Sequence, residues 1–472
     1  MAAGLATNIR LSKRMRLIRG AWTAVCLAAA GSLLAAAGAP TKPNIPGPIE
    51  DYVHAPMPPE FHVEITELAG PVFADATGKT LYRWPLKNLR NGDAGEQKGK
   101  PSCTDRVYTE TSGLMSPYPP GLVLPEVETR PSCVKMYPPV LAPEGAKPVG
   151  KWTILERPDG KKQWGYDGYA LYTSVLDKKP GDVIGGISGT GRKIKADVPA
   201  IRETVGPSPN IPAMFKVSQV ATGRLLSAFA DVSVYTYDKD GPHKSNCDAA
   251  CLREWAPVMA PETTQPQGEW TVFERAPGIK QWAFRKQPLY TRIGDEGYHT
   301  LDGSDVPGWR NVYTQKAPLP PKGFTMQDTR SGQVLADAKG RTLYVYRCTD
   351  DAFDQLPCDH PDTPQAYRLS IGGDNDPAVF MKTWPYVIAD KGARSDTQSW
   401  SVMDIDPKTG KRAAGGDAGS LHVWAYNDRP IYYFYDDKKP GDVEGDAWGE
   451  FTGKRNGFKA FWIRDAFREN AE

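Results

Sequence analysis

One pattern returns three times along this chain of 472 residues. A tryptophan is followed two positions later by a second aromatic residue. A Leu-Tyr or Ile-Tyr pair comes next, and an aspartate stands five residues after that tyrosine. The copies are Trp164-Gly-Tyr166 with Leu171-Tyr172 and Asp177, Trp282-Ala-Phe284 with Leu289-Tyr290 and Asp295, and Trp424-Ala-Tyr426 with Ile431-Tyr432 and Asp437. Aromatics at i and i+2 share one face of a strand, and the Leu/Ile-Tyr pair begins the return strand after a turn. Such internal similarity constrains the fold more than any local propensity, because each copy must form the same unit. Recurrence in every copy assigns Trp164, Trp282 and Trp424 to packing rather than to exposed rings that bind a glycan or a protein.

Two further motifs share the period. Gly70-Pro-Val-Phe-Ala-Asp75-Ala-Thr-Gly78-Lys-Thr-Leu81-Tyr82 returns with identical spacing as Gly332-Gln-Val-Leu-Ala-Asp337-Ala-Lys-Gly340-Arg-Thr-Leu343-Tyr344. In the degraded middle copy Gly223 and Val234-Tyr235 stay in register, with Ala228 and Asp231 where Asp and Gly stood. Two apolar runs around a short Asp/Gly turn predict a β-hairpin. The other motif joins Cys133-Val-Lys-Met-Tyr137-Pro-Pro139 to Cys251-Leu-Arg-Glu-Trp255-Ala-Pro257 and, with Phe380 in the cysteine position, to Trp384-Pro385. Its aromatic residue before or near proline predicts a buried anchor that ends a short helix or begins a strand.

The fold class expected is mainly β. Three tandem small antiparallel domains are built from short hairpins with little helix, over 61–196, 212–317 and 322–468. The 46 Gly and 43 Pro agree with many turns. The first and third copies carry insertions at about 86–132 and 347–380.

Tyr235-Thr-Tyr237-Asp-Lys-Asp240 and the three Tyr-x4-Asp segments resemble the secreted-repeat family of bacterial lipoproteins. Tyr82-Arg-Trp84 and Tyr344-Val-Tyr346 match the aromatic part of the first motif and lack its aspartate. Cys247-x3-Cys251 followed by Trp255 and Pro257 is also similar to the family pattern. The resemblance covers most of residues 61–468. It implies export and tandem repeats, and no established activity. The chain departs from the lipoprotein form in lacking a lipobox cysteine.

The N-terminus fits export. Arg10, Lys13, Arg14, Arg16 and Arg19 precede an apolar run from Ala21 to Ala37, with Ala35 and Ala37 in the small-residue cleavage pattern. Residues 1–37 are therefore read as a signal peptide, the alternative being a retained anchor, and the proline-rich residues 38–60 as an extended linker. Removing five basic and no acidic residues takes the formal charge from +2 to −3. A mildly acidic protein without a basic stripe does not suit nucleic acid. No membrane span is expected after cleavage, and the location is periplasmic or secreted.

Six cysteines remain, Cys103, Cys133, Cys247, Cys251, Cys348 and Cys358. An even number in an oxidising compartment predicts disulfides, and sequence order pairs them as neighbours in that order. Cys247 and Cys251 on a helical turn would have Cα atoms about 6 Å apart, within disulfide reach. The competing reading is a copper or redox site at Cys247 and Cys251 with His243 and Met259 nearby, since soft thiolates suit Cu(I). No cofactor is required by the favoured reading. The Asp-Lys-Lys-Pro-Gly-Asp loops at Asp177–Asp182 and Asp437–Asp442 are read as plain turns rather than Ca²⁺ sites, having two acids and two lysines each. None of the common nucleotide, zinc-hydrolase, haem or nucleophile-elbow motifs occurs, and no catalytic set nominates itself.

Three functions fit. The first is an exported non-catalytic repeat protein that binds another protein or a cell-envelope component. The second is a periplasmic copper or redox accessory protein. The third is an enzyme acting on envelope polymers.

Overall fold

The computed structural model describes residues 44–85, 87–89, 92–105, 132–186, 202–295, 301–330, 332–347, 360–362, 366–446, 448 and 457–463. The expected signal segment, most of the first insertion and both Cys348 and Cys358 lie outside these residues. The described chain is mainly β, made of short antiparallel sheets with brief helices at Cys133–Met136, Ala366–Gly373 and Pro377–Thr383. No helix among the described residues is long and apolar enough to cross a membrane.

Each copy opens with a hairpin. Phe61–Thr66 pairs with Gly70–Asp75, Lys216–Val220 with Gly223–Ser227, and Phe324–Thr329 with Gly332–Asp337. The main partner of the Gly70 and Gly332 strands is thus the strand before them. The hairpin expected after them is reduced to the bridges Ala74↔Thr80 and Ala336↔Thr342. Its turn is nevertheless formed as the residues predict. Asp75 Oδ1 accepts the backbone N–H groups of Thr77 and Lys79, and Gly78 takes φ +84°. Only a residue without Cβ fits there, because a Cβ on Gly78 would meet Pro180 at 2.8 Å. Gly340 meets Pro440 in the same way at 2.6 Å.

A three-stranded meander follows in each copy: Trp152–Glu156, Lys162–Tyr166 and Tyr169–Ala170; Trp270–Ala276, Ile279–Phe284 and Gln287–Pro288; Trp400–Ile405, Leu421–Tyr426 and Arg429–Tyr432. The last turn has both central residues at positive φ: Asp167-Gly168, Arg285-Lys286 and Asn427-Asp428. This primed geometry matches the twist of the flanking strands.

The meander packs on the opening hairpin through the same three rings in every copy. Phe61 lies on Trp152 at 4.5 Å and edge-on to Trp164 at 5.8 Å. Phe215 repeats this with Trp270 and Trp282, and Phe324 with Trp400 and Trp424. Trp164 and Trp282 are buried, as a packing role requires, while Trp424 is half-buried. Tyr137, Trp255 and Trp384 are buried anchors, each just after the short helical piece.

A small closing sheet sets the two motif tyrosines opposite one another: Tyr82↔Tyr172, Tyr235↔Tyr290 and Tyr344↔Tyr432. The other neighbour of the first tyrosine is a late strand, at Thr204, Asn311 and Ala460. The first of these strands, Glu203–Thr204, lies beyond residue 196, where the first repeat was expected to end. The segment read as a linker is extended but pinned. Val53 N–H donates to the Ser208 carbonyl at 2.9 Å, and the buried Glu50 takes Arg224 at 2.8 Å and the Thr314 hydroxyl.

The copies also hold one another. The carboxylate of Glu67, at the tip of the first hairpin, accepts the backbone N–H groups of Gln398 and Ser399 in the third copy at 2.7 and 3.0 Å. Gln315 of the second copy donates to the Thr66 carbonyl at 2.6 Å. Leu68 packs in one apolar cluster with Ala317, Leu335 and Trp400, so the core runs from copy to copy.

Candidate functional site

The repeated acids are placed by the repeated tyrosines. Tyr82 donates its hydroxyl to Asp177 at 2.6 Å, Tyr235 to Asp295 at 2.7 Å and Tyr344 to Asp437 at 2.7 Å. In the outer copies the second carboxylate oxygen takes a backbone N–H of the following loop, Gly185 at 3.1 Å and Glu444 at 3.0 Å. Burial pushes the Asp177 carboxyl up to about 7 and that of Asp437 up to about 6, against the pull of these donors. Asp295 is shifted upward for the same reason. Its second oxygen is sealed from solvent without a hydrogen bond among the described residues and lies 3.9 Å from the Arg292 guanidinium. Reading along the chain did not bring these pairs together. The signal was there in the constant spacing of both motifs.

The Asp-Lys-Lys-Pro-Gly-Asp loops close on themselves. Asp182 Oδ2 accepts the backbone N–H groups of Lys178 and Lys179, and Asp442 does the same for Lys438 and Lys439. The carbonyls of Asp182 and Asp442 take the Thr80 and Thr342 hydroxyls. These carboxylates therefore cap their own turns.

The second motif tyrosine finds a different partner in each copy. Tyr290 donates to Asp240 at 2.7 Å, which gives the aspartate of the Tyr-x-Tyr-x-x-Asp motif its role. The first copy lacks that aspartate, and Tyr172 donates instead to the buried Glu96, from the insertion. In the third copy Arg368, also from the insertion, donates to Tyr432 at 3.1 Å and Tyr386 at 2.8 Å, with its guanidinium 4.2 Å above the Phe380 ring.

The cysteines belong to the same framework. Cys103–Cys133 and Cys247–Cys251 are disulfides with Cα atoms 5.4 and 5.2 Å apart. Arg157 donates to Gln163 at 2.7 Å and to the Cys103 carbonyl at 3.1 Å. Arg275 repeats both bonds, to Gln281 at 3.0 Å and to the Cys247 carbonyl at 2.7 Å. The third copy has apolar residues at all three positions, Ile405, Val423 and Phe380, and buries them completely. At the candidate copper residues, Cys247 and Cys251 are bonded to each other rather than free as thiolates. The His243 ring lies 2.8 Å from the Thr271 hydroxyl, and Met259 is exposed. Among the described residues no group of three or more His, Cys, Asp or Glu side chains is gathered where it could hold a metal ion.

One concave surface stands outside this framework. A cleft of about 500 Å³ opens in the first copy between the extended segment at Tyr52–Met57 and the meander. Phe73, Trp152, Tyr166 and Val63 form its inner wall, Tyr52 and His54 its outer wall, and Lys151 its rim. The Tyr52 and His54 rings touch at 4.6 Å, and Phe73 and Tyr166 at 5.2 Å. Its size lies within the range of about 300–1,000 Å³ common for ligand sites, and aromatic walls with few polar groups are their usual lining. The sequence hides it, because its residues come from six separated stretches.

Two stretches of the chain match a secreted repeat of unknown function. They are residues 153–190 and 416–458. Each includes the last strands of a meander, the Tyr-x4-Asp segment and the Asp-Lys-Lys-Pro-Gly-Asp turn, so the match falls on the part of the repeat that the tyrosine–aspartate pair fastens down. No curated protein and no solved structure matches the chain.

Proposed function

We propose that this protein is exported and acts by binding, as a three-copy scaffold that offers the cleft of its first copy to another protein or a cell-envelope component. The aromatic cleft carries the reading. The chemistry that the copies share is engaged internally: the motif aspartates hold tyrosines, the loop aspartates cap turns, and the Arg–Gln pairs brace disulfides. The cleft instead leaves the Tyr52 and Tyr166 rings half-exposed beside the exposed His54 and Lys151, above the buried Phe73 and Trp152, a composition that favours recognition. The family's description as secreted supports a site facing the periplasm or the cell exterior.

A photo-crosslinking residue at the exposed position 54 tests this in cells. A specific adduct with an envelope component is expected, and Tyr52→Ala together with Lys151→Glu should abolish it. Adducts indifferent to both substitutions would count against the cleft. Turnover of an envelope polymer that is lost on mutating a small residue cluster would overturn the non-catalytic reading.

A further inference from the structure

The first and second copies build the same floor under different roofs. Trp152 faces Tyr166 across the sheet as Trp270 faces Phe284, and each follows a tight turn with a glycine at φ +56°, Gly150 and Gly268. In the second copy the preceding residues Asn210 and Ile211 lie over this floor, while Pro207 and Ser208 just before them line the first-copy cleft. The Asn210 carbonyl accepts the Trp270 indole N–H at 3.0 Å. Asn210 also closes down on the turn, so that a Cβ on Gly268 would meet it at 2.5 Å.

In the first copy that place is open. The corresponding segment passes Pro56, and the nearest atom to a Cβ on Gly150 would be the Pro56 carbonyl at 3.7 Å. Trp152 is only 2% exposed and lines the cleft. Its indole N–H makes no hydrogen bond among the described residues, yet it is not one of the polar atoms sealed from solvent, as that of Trp164 is. A donor that reaches solvent only through a cleft can exchange water for a ligand's acceptor at a net gain of about 0.5–1.5 kcal/mol.

We infer that the cleft binds an extended, proline-rich peptide whose main-chain carbonyl accepts the Trp152 indole N–H, as the Asn210 carbonyl accepts that of Trp270. Proline-rich chains suit the site because they are preordered, leave their carbonyls free and dock on aromatic walls. Phe73, Tyr166 and Tyr52 supply those walls, and the Tyr166 hydroxyl, absent from Phe284, adds a polar edge. This inference rests on the binding reading above and names the partner's chemistry.

The test uses the full mature protein and a synthetic peptide, Gly-Pro-Ser-Pro-Asn-Ile-Pro, the sequence of residues 206–212. Indole N–H resonances are followed by NMR, Trp152 is assigned by its loss in Trp152→Phe, and the affinities of parent and variants are compared by isothermal titration calorimetry. The Trp152 signal is expected to move saturably below about 1 mM peptide, and Trp152→Phe, which keeps a ring, to weaken binding about tenfold. Tyr52→Ala, on the outer wall, gives a second reading should Trp152→Phe fold poorly, and it too should weaken binding. A Trp152 signal that stays still at millimolar peptide, a Trp152→Phe protein that binds as well as the parent, or a signal moved by envelope oligosaccharides and not by the peptide would each overturn the inference. If position 54 still crosslinks to an envelope component while the peptide fails, the peptide inference falls and the binding reading stands.

Discussion

Tyr344 donates its hydroxyl to Asp437 at 2.7 Å, joining the end of the Gly332–Tyr344 motif to the end of the tryptophan motif across 93 residues. The same bond occurs in the other two copies, so it works as a latch that holds the closing sheet against the loop. Removing the donor leaves a buried carboxylate short of a partner. Tyr82→Phe, at the most deeply buried of the three acids, should therefore lower stability by about 1–3 kcal/mol in urea unfolding. An unchanged unfolding midpoint would show that the latch is idle.

The same acids set a pH dependence. The folded carboxyls of Asp177 and Asp437 are raised to about 7 and about 6, so the native state holds their protons more tightly than the unfolded chain does. Their contribution is complete below the unfolded carboxyl range near pH 4 and is lost as pH rises toward 6 and 7. Unfolding midpoints should fall between pH 4 and 7, and Asp177→Asn should flatten that fall. A parent whose slope over this window equals that of the variant would contradict the assignment.

Loop length ranks the disulfides. Cys103–Cys133 closes 30 residues and Cys247–Cys251 only 4. Chain entropy then predicts a loss of about 3–4 kcal/mol for the first pair and about 2 kcal/mol for the second when each is replaced by alanines. The same experiment bears on copper. The oxidised protein should leave Cu(I) in solution, whereas tight binding at Cys247 and Cys251 without prior reduction would revive a metal site there.

The third copy predicts which polar pairs are dispensable. Gln281→Val alone should be costly, by about 1–3 kcal/mol, because it removes two bonds of a fully buried amide, leaving Arg275 with Ser245 and the Cys247 carbonyl and the Leu289 carbonyl with the Val258 N–H. Adding Arg275→Ile should recover part of that loss, since Ile405 and Val423 fill the same two places. A double-mutant cycle measures the coupling, and additive effects would deny it.

What was legible in the sequence was whatever repeats at short range. The strand at Trp164 and Tyr166, the glycine turn at Gly78 and the anchors Tyr137, Trp255 and Trp384 follow from alternation, turn chemistry and recurrence. Trp152, Trp270 and Trp400 escaped, since each is a lone ring whose partner phenylalanine lies at least 55 residues away. Glu96 and Arg368 escaped for a different reason. They sit in insertions with no counterpart, and only the fold brings them to Tyr172 and Tyr432. The cleft was hidden for the same cause, being assembled from pieces that share no motif.

The clamp at Glu67 has a bearing on how such a chain can change over time. Tandem arrays ordinarily gain or lose units by unequal recombination, each unit touching only its neighbours. Here the first unit hands its carboxylate to the third, and the second reaches back to the first through Gln315 and to the segment before it through Arg224. A fourth unit spliced in would part Glu67 from Gln398, and a deleted one would leave a buried charge bare. The order of these three copies is thus written into the contacts themselves, and divergence within copies, rather than insertion or loss between them, is the route left open for new specificity.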